Sequence, residues 1–325
     1  MIPNKLKLGD EIRVIAPSTS LSIMNEESKE IAIKTLEDMG FKITFSKNCE
    51  EIDEFSSSSI KSRIHDLHEA FLDKNVKAIL TVIGGYNCNQ LLNYIDYEII
   101  KNNPKILCGY SDITALSNAI YNMTELITYS GPHFSSFGMK KGLEYTKEYF
   151  KKCLMEESEF EIEPCQQWSD DPWYLDQENR VFFESKGYEI INEGTAKGKI
   201  LGGNLCTFNL LHGTKYMPNL ENTILFIEDD SLSSPETFDR DLQSLIHQPN
   251  FHKVKGIILG KFQVDMKMTK EKLYKIIKTK SALNNIPVIT EVNFGHTTPQ
   301  ITFPVGGEAE IVVTENNVKI LISNH

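Results

Sequence analysis

The sequence predicts an α/β protein of two domains, and three observations carry that reading. Short apolar runs alternate with helical patterns through the first half, as they do when a parallel sheet is wrapped by its crossover helices. The pattern breaks between Phe150 and Tyr188 into acidic, aromatic and turn-forming residues, and from Gly194 onward strands dominate. A chain of 325 residues with 40% hydrophobic side chains is long enough to bury one large or two medium cores.

Taken in order, Glu11 to Ala16 reads as the first strand, closed by Pro17 and Ser18. A charged helix covers Asn25 to Met39 and stops at Gly40, where a residue without Cβ can leave helical geometry. Lys42 to Ser46 forms the second strand, and Ser59 to Leu72 the next helix. Lys77 to Ile83 is a strand running into Gly84-Gly85, and Asn89 to Asn102 is helical. Lys105 to Tyr110 is a strand, followed at once by a helix over Asp112 to Met123. In the second half the strands are Ala196 to Leu201, Thr223 to Ile227, Gly256 to Gly260, Pro287 to Glu291 and Ala309 to Val313. Helices over Asn204 to His212 and Pro235 to His247 lie among them. The expected organisation is a domain over residues 1–160, a loop or linker over 161–190, and a domain over 191–325. A structureless stretch as long as the middle segment rarely persists without a function.

Charge narrows the partners. The net charge is −11, and Arg13, Arg63, Arg180 and Arg240 are the only arginines. A polyanion such as nucleic acid needs a basic face to displace its counterions, so it is excluded as a partner. No apolar run approaches the roughly 18 residues of a membrane span. No signal-peptide core precedes Met24, so a cytoplasmic protein is expected. None of the six cysteines forms a C-x-x-C pair, and reduced, buried thiols are the expectation.

The sharpest chemical signal is Lys105-Ile-Leu-Cys-Gly-Tyr-Ser111-Asp-Ile-Thr, a strand that passes through one glycine into a serine and then directly into a helix. A serine on such a turn presents its hydroxyl at the carboxyl edge of the sheet, beside a helix N-terminus that favours developing negative charge. Ile113 occupies the place of the second glycine of G-x-S-x-G, and a plain helix cap by Ser111 or Asp112 explains the stretch equally well. A nucleophilic serine needs a base, and the base needs an acid to fix its tautomer. Of eight histidines, His296 alone follows a strand in a glycine-bearing loop, the others being assigned surface roles. Glu228 is the acid candidate: it ends the apolar run Thr223 to Ile227 and is followed by Asp229 and Asp230, a costly concentration of charge that a histidine or a metal would relieve. A magnesium site is the rival, lowered by the absence of a phosphate-cradling G-x-x-x-x-G-K-[ST] loop, and a metal site at His65 and His68 lacks further ligands. Gly84-Gly85 ends the strand beside that of Ser111, where a backbone N–H could help to hold an oxyanion.

These residues, taken together, resemble the LD-carboxypeptidase family of serine peptidases, which includes muramoyl-tetrapeptide carboxypeptidases and the microcin C immunity proteins. The match runs nearly end to end: Gly9-Asp10, Ile15-Ala-Pro-Ser18, Gly84-Gly-Tyr-Asn87, Gly109-Tyr-Ser-Asp-Ile-Thr114, Gly202-Gly-Asn-Leu205, Ile227-Glu-Asp229, Gly256 to Gly260, and Phe294-Gly-His296 followed by Pro304-Val-Gly306. The resemblance implies a Ser111, His296 and Glu228 triad and an oxyanion hole from the N–H groups of Gly85 and Asp112. It also implies an N-terminal flavodoxin-like domain joined to a smaller strand-rich α/β domain, and a cytoplasmic homodimer without metal or organic cofactor.

The stretch Trp168 to Leu175 resembles the aromatic loop of the immunity branch, whose members cleave the amide between an aminoacyl or peptidyl group and a nucleotide-like moiety. Trp168 and Trp173, the only tryptophans, are candidate base platforms, with ordinary burial as the competing reading, and Asn204 joins them as a substrate-binding candidate. The expected partner is a small peptide or aminoacyl-nucleotide-like substrate. A murein tetrapeptide carboxypeptidase and a non-catalytic small-ligand-binding protein are the alternatives, and an α/β-hydrolase shares the chain order Ser, acid, His.

Overall fold

In the computed structural model, which describes residues 1–315 and 317–325, two sheets carry almost all of the chain. The first is built from β1 (Glu11–Ile15), β2 (Lys42–Phe45), β3 (Val76–Thr81), β4 (Ile106–Cys108) and β5 (Thr128–Ser130). The helices α1 (Glu26–Asp38), α2 (Ile60–Leu72), α3 (Tyr97–Asn102) and α4 (Ile113–Thr124) lie between them in sequence. The five strands are parallel in the order β2-β1-β3-β4-β5. That is the flavodoxin-like order, which turns back between β1 and β3 and opens a crevice at the carboxyl ends of those strands. The sequence breaks into helices where side chains supply caps: Asn25 accepts from the Ser28 N–H at 2.8 Å, and Ser59 from Ser62 at 3.0 Å.

After α5 (Glu144–Leu154), β6 (Phe160–Glu161) and the short ribbon of β7 (Gln167–Trp168) with β8 (Phe183–Glu184), the chain builds a second sheet. It comprises β9 (Glu189–Asn192), β10 (Gly194–Asn204), α6 (Leu205–Asn209), β11 (Thr223–Glu228), α7 (Pro235–Ile246), β12 (Gly256–Gly260), α8 (Lys270–Lys278) and β13 (Val288–Val292). Three further strands follow, β14 (Phe303–Val305), β15 (Glu308–Thr314) and β16 (Asn317–Ile322). β10 to β13 are parallel, with antiparallel strands on both flanks in the order β6-β16-β15-β10-β11-β12-β13-β9. β14 leaves this half of the chain to pair antiparallel with β5, closing the edge of the first sheet. Both sheets thus share one buried core.

Helix α4 joins the two halves. Every residue from Ile113 to Ile120 is buried, which accounts for the absence of charge in that stretch, and the side chains of Thr114 and Asn118 are engaged within the protein. Asn118 exchanges two hydrogen bonds with the Gly202 backbone, donating at 2.8 Å and accepting at 3.3 Å, and Thr114 Oγ1 accepts from the Asn204 N–H at 3.0 Å. Gly203 makes this approach feasible: it has φ of +126°, and a Cβ there would stand 2.5 Å from Thr114 Oγ1.

Three local expectations differ. The helix read over Asn89 to Asn102 is a 3-10 turn at Cys88–Leu91 and then α3, because Asp96 accepts from the N–H groups of Glu98 and Ile99 and starts a new helix. The helix read from Asn204 to His212 is shorter, since α6 ends at Asn209. Of the six thiols, all free, Cys206 is exposed. Among the described residues no helix is long and apolar enough to cross a membrane.

Candidate active site

Ser111 stands two residues beyond Gly109 at the carboxyl end of β4, and its φ is +59°. A left-handed conformation costs a residue with Cβ roughly 1–2 kcal/mol, so the surroundings must hold it there. The turn after β3 packs directly on the serine: a Cβ on Gly84 would lie 2.8 Å from Ser111 Oγ. The hydroxyl is 2.9 Å from His296 Nε2, and His296 Nδ1 is 2.7 Å from Glu228 Oε2. Because a carboxylate can only accept, Nδ1 carries the proton and donates it, which leaves the Nε2 lone pair facing the serine hydroxyl.

Glycines let the acid approach the loop that bears His296. A Cβ on Gly295, whose φ is +97°, would come within 2.5 Å of Glu228 Oε2, and one on Gly260 within 2.8 Å of the Glu228 Cβ. Glu228 is buried, and its second oxygen, Oε1, has no hydrogen-bond partner among the described residues. Asp229 is equally buried, and its carboxyl is pushed up to about 7, first by burial and then by the neighbouring Glu228 and Asp230 charges. For His296, burial is the largest influence and disfavours the cation. The Glu228 carboxylate, its hydrogen bond, and Asp230 and Asp229 together outweigh it and hold the ring above its usual value.

The two expected oxyanion donors also meet here. Gly85 follows β3, and its φ of +154° turns the chain against the loop after β1, where a Cβ would strike Ser18 Oγ at 2.3 Å. Asp112 begins α4, and neither its N–H nor that of Gly85 is bonded to an acceptor among the described residues. The Asp112 side chain does not cap its helix. Its carboxylate instead accepts from Ser18 Oγ at 2.5 Å and from the Cys88 N–H at 2.9 Å, tying together the loops after β1, β3 and β4. Burial raises this carboxyl while those bonds oppose the rise.

The three substrate-binding candidates are held by different contacts. Trp168 has its ring 4.8 Å from Lys261 Nζ and 5.1 Å from the Phe183 ring, so its aromatic surface is occupied. Lys261 is buried and paired with Glu291. Trp173 is partly buried against the core, edge-on to the exposed Tyr174. The segment between them is well anchored. Ser169 and Thr298 exchange two 2.7 Å backbone hydrogen bonds, two residues from His296, and Asp171 receives Arg180 Nε at 2.6 Å and the Val181 N–H at 2.7 Å. Asn204 caps α6 through its Oδ1, and its Nδ2 reaches Asp229 at 3.5 Å, so both ends of its amide are engaged within the protein.

Sequence reasoning passed over three residues of the site. Asp230 Oδ2 is 3.8 Å from His296 Nε2; its signal was the acidic run in which Glu228 alone was chosen. Tyr110 meets the His296 ring edge-on at 5.2 Å and stacks on His133 at 4.3 Å. His133 is buried, not on the surface, and burial and the His296 charge lower it to about 3. His325 is likewise buried, bonded to the carbonyls of Cys153 and Ser158. Among the described residues no group of three or more His, Cys, Asp and Glu side chains is arranged to hold a metal ion.

Residues 12–131 match the LD-carboxypeptidase N-terminal domain and residues 197–311 the LD-carboxypeptidase C-terminal domain. The Bacillus subtilis protein YocD, whose carboxypeptidase name is provisional, is 55% identical over the full length of both chains. The crystal structure of an MccF-like protein from Bacillus anthracis superposes with a TM-score of 0.99 at 57% identity, covering 100% of each chain. The Escherichia coli microcin C7 self-immunity protein MccF is 33% identical over 97% of this chain and 94% of its own. A structure of MccF in complex with glutamyl sulfamoyl guanosine has a TM-score of 0.89 at 31% identity, covering 99% of this chain and 98% of that one. Other MccF structures hold aspartyl sulfamoyl adenosine and, in a variant, adenosine monophosphate. The chain belongs to the LD-carboxypeptidase family of serine peptidases.

Proposed function

We propose that the chain is a serine hydrolase that cleaves the amide between an aminoacyl or peptidyl group and a nucleotide-like moiety. The observation that carries this reading is the hydrogen-bonded line from Ser111 Oγ through His296 to Glu228, at 2.9 and 2.7 Å. Ser111 Oγ attacks the carbonyl carbon as its proton passes to His296 Nε2, and the carbonyl π electrons move to oxygen. The N–H groups of Gly85 and Asp112 receive that oxyanion, a contribution of about 3–4 kcal/mol per donor in comparable sites. Glu228 holds the tautomer and balances the imidazolium. Collapse of the intermediate breaks the C–N bond, and the Nε2 proton goes to the departing nitrogen. Water then attacks the acyl carbon as His296 Nε2 takes its proton, and collapse breaks the bond to Ser111 Oγ, which takes the proton back from Nε2 as the carboxylic acid leaves.

The leaving group is inferred from the relatives, since MccF structures hold aminoacyl sulfamoyl nucleosides and adenosine monophosphate. Of the two tryptophans, Trp173 is the better base platform, because the Trp168 ring is taken up by Lys261 and Phe183. The purified protein is to be offered an aminoacyl-sulfamoyl adenosine and a murein tetrapeptide in parallel, with products followed by mass spectrometry. Release of sulfamoyl adenosine supports the reading; turnover of the tetrapeptide alone overturns the choice of leaving group and makes the protein an LD-carboxypeptidase in the strict sense.

A further inference from the structure

His296 has carboxylates at both of its nitrogens. Glu228 bonds to Nδ1, whereas Asp230 Oδ2 lies 3.8 Å from Nε2, the nitrogen that faces Ser111. Asp230 is fixed in that position: its Oδ1 accepts from the Leu232 N–H at 2.8 Å, its own N–H donates to Asp229 Oδ1 at 3.1 Å, and its carbonyl accepts from Ser233 at 3.1 Å. Its side chain is 22% exposed against 3% for Glu228, which places it on the open side of the ring.

We propose that Asp230 is a positioning residue for His296, gripping the Nε2 edge of the ring while Glu228 grips Nδ1. This rests on the catalytic reading given above. In the resting state the Nε2 lone pair receives the Ser111 hydroxyl. Once the serine oxygen is bonded to the tetrahedral carbon it is a poor acceptor, and the Nε2–H of the imidazolium then needs another anion to steady it until the intermediate collapses and the leaving nitrogen takes the proton. Asp230 is that anion, and a movement of about 1 Å brings Oδ2 within the roughly 2.8 Å of a charge-assisted bond. The other groups facing the ring are Glu228 and Asp229 from the end of β11, Tyr110 from the end of β4, and His133 from the segment after β5, which is kept neutral by burial. Asp230 is the most exposed of the three carboxylates and the one nearest Nε2.

The test is the titration of the His296 ring in the free protein by NMR, its resonance assigned by its loss in His296→Ala. Asp230→Asn keeps an Oδ1 acceptor for the Leu232 N–H and removes only the charge, so the midpoint falls by about one pH unit, the usual effect of one nearby carboxylate. Asp230→Glu, which keeps the charge, holds the midpoint near that of the parent. An unmoved midpoint in Asp230→Asn overturns the proposal, as does an equal fall in Asp230→Glu, which would mark a turn effect and not a charge effect. The measurement needs no substrate, so it stands or falls independently of the cleavage reaction. On an active preparation the acid limb of kcat/KM shifts with the NMR midpoint; a limb that stays in place while KM alone rises would assign Asp230 to the substrate and also overturn the proposal.

Discussion

Gly295→Ala tests how closely the acid must approach the histidine loop. The added Cβ would stand 2.5 Å from Glu228 Oε2 and 2.8 Å from its Cδ and Cγ, and the backbone would keep a φ of +97° that alanine resists. The left-handed conformation costs roughly 1–2 kcal/mol. An ordinary carbon–oxygen contact is about 3.4 Å, so the carboxylate must withdraw by nearly 1 Å, along an oxygen that is 2.7 Å from His296 Nδ1. Losing that charge-assisted bond is worth about 1.5–3 kcal/mol, and at 1.4 kcal/mol per decade kcat/KM falls roughly 10- to 100-fold. The assay pairs steady-state kinetics with thermal unfolding, which drops by a few degrees because the core around β11 and β13 is otherwise intact. A variant with parental kcat/KM would refute the argument that Glu228 works through contact with this loop.

Further outcomes follow from the same geometry. His296 is held above its ordinary value of 6.5, so its charge stabilises the fold fully below about 6.5 and that contribution fades as pH rises through the folded value. Catalysis needs the neutral ring, so kcat/KM climbs over the same window, with an acid limb above pH 6.5; a limb below 6.5 would contradict the carboxylate account. Trp173→Ala raises KM for the nucleotide-bearing substrate by roughly 5- to 150-fold, the equivalent of about 1–3 kcal/mol per stacked base. Trp168→Ala leaves that KM largely in place and lowers the unfolding temperature, since the ring covers the Lys261 ammonium. Reversed results would exchange the two roles.

Most of the first half of the fold was legible because β1 to β4 are short runs ended by glycine, proline or serine, and the loops that build the site follow those runs; β5, only three residues long, was not read. Ser111 and Gly85 were visible for that reason: β4 and β3 each empty into a glycine-bearing turn on the same edge. Glu228 was visible as a charge at the end of the five-residue run Thr223 to Ile227. The strand β14 was not, since Phe303–Val305 is three residues long and its partner β5 lies far back in the sequence. His133 was missed because burial is a tertiary property and its neighbours Gly131 and Pro132 announce only a turn. Asp230 was seen but not distinguished, because which of three adjacent carboxylates meets which ring nitrogen depends on the turn that follows β11. The aromatic segment looked structureless from its composition, yet Ser169 pairs with Thr298 and Asp171 gathers Arg180 and Val181, contacts whose partners alternate between local and distant residues.

The central claim, acyl transfer through Ser111, is tested most directly by trapping. An aminoacyl-sulfamoyl adenosine is mixed with the protein, the reaction is quenched in acid within the first turnover, and the digested chain is read by mass spectrometry. The account predicts the acyl mass on the peptide that contains Ser111, no such adduct in Ser111→Ala, and turnover in that variant lower by roughly 10⁴-fold or more. Parental turnover in Ser111→Ala, or an adduct on another residue, would contradict it.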